Sequence, residues 1–149
     1  MTEYLEIVID WKHKKKWNPD NFELIHNKNV LYQIYCDSHI YGRDVLAYIG
    51  KTDQTFEQRF TQHEKSFWRN ANNVNFAVGE IKDQSFGTLE IPESILIANH
   101  KPFFNKNFIH NLSPEAVSRK IIIINNGEHG MLKNSCTNFW WYDQNNENI

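Results

Sequence analysis

Val30-Leu31-Tyr32-Gln33-Ile34-Tyr35-Cys36 and Val45-Leu46-Ala47-Tyr48-Ile49-Gly50 are the two runs whose reading decides the fold. Both are short, apolar and rich in β-branched or aromatic residues, which predicts strands. The polar segment between them, 37–44, contains Tyr41-Gly42 and reads as a loop. A single loop of that length joins antiparallel neighbours, so the two runs predict a hairpin. Lys51-Thr52 follow at once. Thr55-Phe56-Glu57-Gln58 then has the form of a capping box and predicts a helix to about Trp68, with Phe56, Phe60 and Phe67 on its buried stripe.

Further along, the alternation of Phe76–Ile81 predicts a third strand. A second helix is expected from near Thr88 to Asn99, because Pro92 is tolerated only in a first turn and Lys101-Pro102 ends the run. The order β-β-α-β-α makes an α/β core over residues 29–108. The extensions 1–28 and 109–149 are expected to pack on it, all within a single domain, 1–149. Tyr4–Trp11 predicts one further strand and Arg119–Asn125 another. Asn126-Gly127 is a hairpin signal whose partner strand is sought in Lys133–Tyr142. These terminal strands either extend the central sheet or form a second small layer.

Ten Phe, six Tyr and five Trp in 149 residues supply a genuine core, and a formal net charge of −2 excludes a globally basic nucleic-acid coat. A local basic groove is compatible with that balance. Lys12 and Lys14–Lys16 cluster early, while Lys51, Arg59, Lys65 and Arg69 lie near the hairpin and first helix. Cys36 and Cys136 have no metal-ligand spacing, and Cys36 reads as a small packing residue. The longest apolar run, Ile121–Ile124, is far too short to span a membrane, so the expectation is a cytoplasmic protein with no membrane partner. Phe139-Trp140-Trp141-Tyr142 reads as core or as an oligomer contact, which leaves a homo-oligomer open.

Gln33-Ile34-Tyr35, Tyr48-Ile49-Gly50-Lys51-Thr52, Arg59 with His63, Glu93-Ser94-Ile95-Leu96-Ile97 and Pro102-Phe103-Phe104-Asn105 occur in that order. The ordered set resembles the GIY-YIG nuclease superfamily over a little over half the chain. The Glu93–Pro102–Asn105 spacing resembles the excision-repair branch, and the Arg59/His63 pair resembles the homing and restriction branches. One departure is Gln33, where the family has the first Gly of its triplet. The resemblance implies a small antiparallel sheet flanked by helices. It implies a DNA substrate cut to 5′-phosphate and 3′-hydroxyl ends with Mg²⁺ or Mn²⁺; within that class a role in restriction or phage defence is expected, because no separate DNA-binding or repair-partner module is appended to the domain. A catalytically silent nucleic-acid-binding module on the same fold is the rival expectation.

The residues support that chemistry independently. Leu89, Glu93, Leu96 and His100 share one arc of the second helix. A carboxylate on an apolar arc requires compensation, either from a salt bridge or from a hard divalent cation, and Mg²⁺ needs only one or two protein carboxylates. Arg59 and His63 share a helix face at i and i+4. A guanidinium suits a phosphate because it can hold two oxygens as charge develops. Tyr35 and Tyr48 are expected to converge on one face of the sheet, and one of them, with Lys51 or His63, to activate water. A phenol with its ordinary pKa of about 10 needs a nearby cation to do so. Gly50 is expected to let the backbone turn and approach DNA, and the Asn105 amide to fix the site by hydrogen bonds.

Overall fold

The computed structural model describes residues 3–12, 14–16, 29–55, 58–59 and 70–146. Its strands are β1 (Leu5–Trp11), β2 (Lys15–Lys16), β3 (Val30–Ser38), β4 (Gly42–Thr52), β5 (Asn75–Glu80), β6 (Ile121–Gly127) and β7 (Ser135–Thr137). The helices are α1 (Glu90–His100) and α2 (Phe139–Asn146), with a 3₁₀ turn at Pro114–Val117. The architecture is α/β on one mixed sheet of order β4-β3-β5-β1-β6-β7, with β2 added beside β5. The terminal strands therefore extend the central sheet and form no second layer. β1 pairs in parallel with β6 over its full length, and meets β5 only through Asp10↔Glu80 and Trp11↔Gly79.

The sheet buries a core on each face. Ile7, Ile9, Leu31, Tyr35, Ile49, Ile121 and Ile123 pack under Ile91, Ile95 and Leu96 of α1. Val30, Tyr32, Ile34, Cys36, Ala47, Phe76 and Val78 form the opposite layer, with Phe103 and Phe104 at its margin. Cys36 and Cys136 belong to different layers and are both free, so no disulfide joins them.

The β3–β4 hairpin forms as its sequence predicts, with Val30↔Thr52 and Ile34↔Tyr48 in register. The register shifts next to Ile34, so that Tyr35 faces Leu46 and Ala47 is left over as a bulge. Paired residues share a face, so Tyr48 lies on the side of Ile34 and Tyr32, and Tyr35 on the other. The expected convergence of Tyr35 with Tyr48 does not occur. Tyr35 instead donates its hydroxyl to Gln33 Oε1 at 2.5 Å and accepts from the Met131 backbone N–H at 2.8 Å. Gln33 Nε2 donates onward to the His129 carbonyl. Gly130, at φ +61°, passes so close that a Cβ there would overlap the Tyr35 hydroxyl. Gln33 and Tyr35 thus form a buried clasp that holds the 129–131 loop against the sheet.

Two further expectations change. The partner sought in Lys133–Tyr142 is β7, antiparallel to β6, but it is confined to Ser135–Thr137, and residues 128–134 intervene where Asn126-Gly127 suggested a two-residue turn. The aromatic block then lies on α2, where the Tyr142 N–H bonds the Asn138 carbonyl at 2.8 Å and starts the helix. Asn138 is buried because its side chain links three backbone groups. It accepts from the Ile121 N–H and donates to the Ala116 and Arg119 carbonyls. Within the block Trp140 is 65% exposed. The early lysines are drawn into the fold: Lys15 and Lys16 form β2, Lys12 pairs with Asp10, and Lys14 pairs with Asp44 and lies over the Tyr35 ring. No helix of the described residues is long and apolar enough to cross a membrane.

Tyr35→Phe tests the clasp. It leaves a buried amide oxygen and a backbone N–H without their shared partner, so urea denaturation should show a loss of about 1–2 kcal/mol. Unchanged stability would show that the clasp contributes nothing.

Candidate active site at the edge of strand β4

β4 is the outermost strand of the sheet, and its outward backbone groups organise the site. The Ala47 carbonyl accepts the Phe104 N–H at 2.8 Å. Asn105 treats Ile49 as a neighbouring strand would: its Oδ1 accepts the Ile49 N–H at 2.9 Å and its Nδ2 donates to the Ile49 carbonyl at 3.0 Å. The Glu93 carboxyl stands beside the next outward group, the Lys51 N–H, close enough for it to favour the charged form. Asn105 is itself fixed by a turn, its N–H bonding the Pro102 carbonyl at 3.1 Å. The expectation that its amide holds the site together is met, through backbone rather than through the reacting groups.

α1 carries Glu93 to this edge. Its first turn begins with Glu93 N–H on the Leu89 carbonyl, and Pro92 lies where a missing N–H does no harm. The helix stops at Lys101, left-handed at φ 48°, whose N–H caps the Ile97 carbonyl. His100 anchors the far end: its Nδ1 bonds the Leu96 carbonyl and its Nε2 accepts the Lys133 N–H. Burial lowers its pKa and favours the neutral ring, with the Leu96 carbonyl opposing and the nearby Lys133 charge adding to the effect.

On the sheet face beside Glu93, Tyr32 and Tyr48 stack with ring centroids 6.0 Å apart and 27° between planes. Tyr32 pairs with Gly50 across the hairpin, and its ring lies over that glycine. A Cβ on Gly50 would overlap the Tyr32 ring and come within 2.8 Å of Tyr48 Cε1. Gly50 is therefore required for the seating of two phenols. Its positive-φ freedom is not used, since it lies within a regular strand. Gln58 and Arg59 stand in helical conformation beyond β4, and Arg59 donates to Tyr32 and bonds Tyr48. Tyr32, Tyr48, Arg59 and Glu93 thus sense one another's charge.

Each group's titration follows from this crowding. Burial pushes the Glu93 carboxyl up to about 7, with Lys51 and Arg59 only partly opposing it. Burial also raises Tyr32 and Tyr48, with Glu93 adding to both and Arg59 opposing. Neither phenol is ionised near neutral pH, so the cations beside them do not produce a phenolate. Burial works against the Arg59 charge, but its bond to Tyr32 and its proximity to both phenols and Glu93 outweigh that and raise its pKa.

Two cavities flank the cluster. One of about 200 Å³ is lined by Tyr48, Glu93, Asn105 and Lys106. The other, of about 400 Å³, includes Lys51 and Arg59. Tyr48 reaches the first cavity, whereas Tyr32 is fully buried behind it.

Of the residues singled out in the sequence, Tyr48, Lys51, Arg59, Glu93 and Asn105 come together here, and Tyr35 does not. His63 lies outside the described residues, as do Lys65 and Arg69. The phenol that sequence reading missed is Tyr32, three residues before Tyr35. A signal for it exists, since a glycine directly across a hairpin from an aromatic marks a ring lying over the backbone. Among the described residues no group of three or more His, Cys, Asp or Glu side chains is placed to hold a metal ion. A site here would rest on Glu93 with the remaining ligands from water or substrate. One carboxylate at a polar cavity suits Mg²⁺, which retains several waters, far better than Zn²⁺, which takes three or four protein ligands. Compared with models of known families, with curated proteins and with solved structures, the chain shows no match.

Two consequences can be measured. Folded Glu93 keeps its proton to about pH 7, whereas an unfolded glutamate releases it near 4.5. Ionisation therefore costs the fold: the penalty begins as pH rises past 4.5 and is complete above 7, amounting to up to about 3 kcal/mol. Without metal, Glu93→Gln should be more stable than the parent at pH 8 and nearly equal to it at pH 4.5. Parallel stability curves across that range would refute a raised Glu93 pKa. Gly50→Ala should cost about 1–3 kcal/mol by overpacking and displace the tyrosine pair. Tyr32 and Tyr48 ring signals in NMR spectra that are unmoved would show that the strand accommodates the methyl group.

Proposed function

We propose that this chain is a metal-dependent endonuclease of the GIY-YIG class that hydrolyses DNA phosphodiester bonds to 5′-phosphate and 3′-hydroxyl ends. The observation that carries the reading is the meeting of a guanidinium, two stacked phenols and one buried carboxyl at a single sheet edge. The proposal keeps the resemblance read from the sequence but moves its register. The β3 phenol that faces the cluster is Tyr32, so the triplet in register with Tyr48-Ile49-Gly50 is Val30-Leu31-Tyr32. The departure from the family's first glycine then falls on Val30, and Gln33 becomes part of the clasp with Tyr35.

Glu93 would hold Mg²⁺ or Mn²⁺, which supplies Lewis acidity to the phosphate and to a bound water. Arg59 holds two phosphate oxygens, and its planar fork matches the trigonal charge of the transition state. Tyr48 presents a neutral hydroxyl to the Glu93 cavity and orients the attacking water. Tyr32, wired to Arg59, fixes the guanidinium and the Tyr48 ring. Lys51 adds positive charge at the strand end, and Asn105 keeps β4 rigid through Ile49. The reaction adds water across one bond: a new O–P bond forms in line as the P–O3′ bond breaks, and the 3′-oxygen takes up a proton.

Purified protein with plasmid and single-stranded DNA, with and without Mg²⁺, tests this directly. Glu93→Gln should abolish cleavage and keep DNA binding. Arg59→Lys should be nearly as damaging as Arg59→Ala in single-turnover rate, because charge alone does not replace the fork. Metal-independent binding with no nicking by the parent protein would establish a silent nucleic-acid-binding module instead. Full recovery of the Lys variant at low salt would reduce Arg59 to long-range steering.

A further inference from the structure

The cavity of about 400 Å³ that includes Lys51 and Arg59 has further walls, of amides and a hydroxyl, that the proposed chemistry does not use. Its volume lies within the range of roughly 300–1,000 Å³ typical of small-molecule sites. It borders the reacting centre directly, since Lys51 and Arg59 line it and the charge of both acts on Glu93. Its wall is polar but mostly uncharged: the amides of Asn29, Gln54 and Gln84 and the hydroxyl of Thr88 stand opposite the two cations.

That mixture is unlike a phosphate-only cradle. A cradle for several phosphates carries positive charge throughout, whereas here the single carboxylate of Asp53 also lines the wall and opposes a second anion. Amides carry a donor and an acceptor side by side, which is the pattern that reads a base edge, and adenine is the base an Asn or Gln pairs most completely. One of the amides is held by the fold. Gln84 Nε2 donates to the Asn29 and Ile81 carbonyls at 3.1 Å each, which occupies both of its N–H groups and leaves its carbonyl oxygen as an acceptor. Asn29 stands at φ 55°, a left-handed conformation that presents it at the entrance to β3.

We infer that this cavity is a nucleotide subsite, in which Lys51 and Arg59 take one phosphate and the amides of Asn29 and Gln54 read the base of a nucleotide next to the cut, with the Gln84 carbonyl oxygen as a further acceptor. The inference rests on the nuclease reading for its phosphate. It adds a sequence preference on one side of the scissile bond, set by neutral amides outside the catalytic cluster.

The test variant is Asn29→Gly with Gln54→Ala. Glycine accepts the left-handed backbone at position 29, so the amide is removed without strain. Random-sequence DNA is cleaved in Mg²⁺ and the product ends are sequenced. The parent protein should prefer one base by about fivefold or more at a position within about two nucleotides of the cut. The double variant should lose that preference among its product ends. In parallel, the Asn29 and Gln54 side-chain NH₂ signals are followed by NMR as a mixed-sequence oligonucleotide is added in EDTA, and they should shift. Cleavage without preference in the parent, or with the same preference in the variant, overturns the subsite and leaves the nuclease reading standing. Shifted amide signals without cleavage overturn the nuclease reading and leave the subsite standing. Neither cleavage nor shifts would overturn both.

Discussion

An edge strand has backbone groups that must find partners, and in this protein the partners found by β4 constitute the candidate site. A bare edge is also a template for pairing with another chain. Here Phe104 and Asn105 occupy it at Ala47 and Ile49, and the Glu93 carboxyl stands beside the Lys51 N–H. Alternate residues along the strand hand their outward groups to a turn and to an amide. The same hydrogen bonds that close the edge therefore fix Asn105 in space relative to Tyr48. Stability and site geometry share one set of contacts.

The site is built at a cost. Glu93 is a carboxyl held where its charged form is disfavoured, and Tyr32 and Tyr48 are phenols kept neutral by burial. Such groups are poorly compensated until positive charge arrives, and Arg59 and Lys51 compensate only in part. Groups perturbed in this way make the cluster a candidate functional site. The contrast with Tyr35 is instructive. Tyr35 is also buried and also raised, to about 12, but its hydroxyl has both a donor and an acceptor partner within the fold. It answers to packing alone.

The sequence carried most of the architecture. The hairpin, the Asn75–Glu80 strand, the helix around Glu93 with Pro92 in its first turn, and the β-branched Ile121–Ile124 run all follow from local periodicity and from proline. The helix that ends the chain did not follow. Phe139-Trp140-Trp141-Tyr142 has strand composition, but the buried Asn138 fixes the backbone there and starts a helix by its carbonyl. Its three side-chain contacts come from residues 17–22 positions earlier, and no local pattern records them.

Residue types for the site were likewise legible one by one: a lone carboxylate on an apolar helix arc, an arginine after a capping box, an Asn after a Pro turn. Their identities are fixed by sequence because each chemistry needs its own side chain. Which tyrosine joins them was decided only by tertiary structure. Tyr32 and Tyr35 lie on the same strand, and faces alternate residue by residue, so the choice depends on register with β4. That register is fixed by Gly50 admitting the Tyr32 ring, by the bulge at Ala47, and by a loop ninety-six residues away that claims Tyr35. A strand's composition is local, but its pairing is a property of the whole sheet.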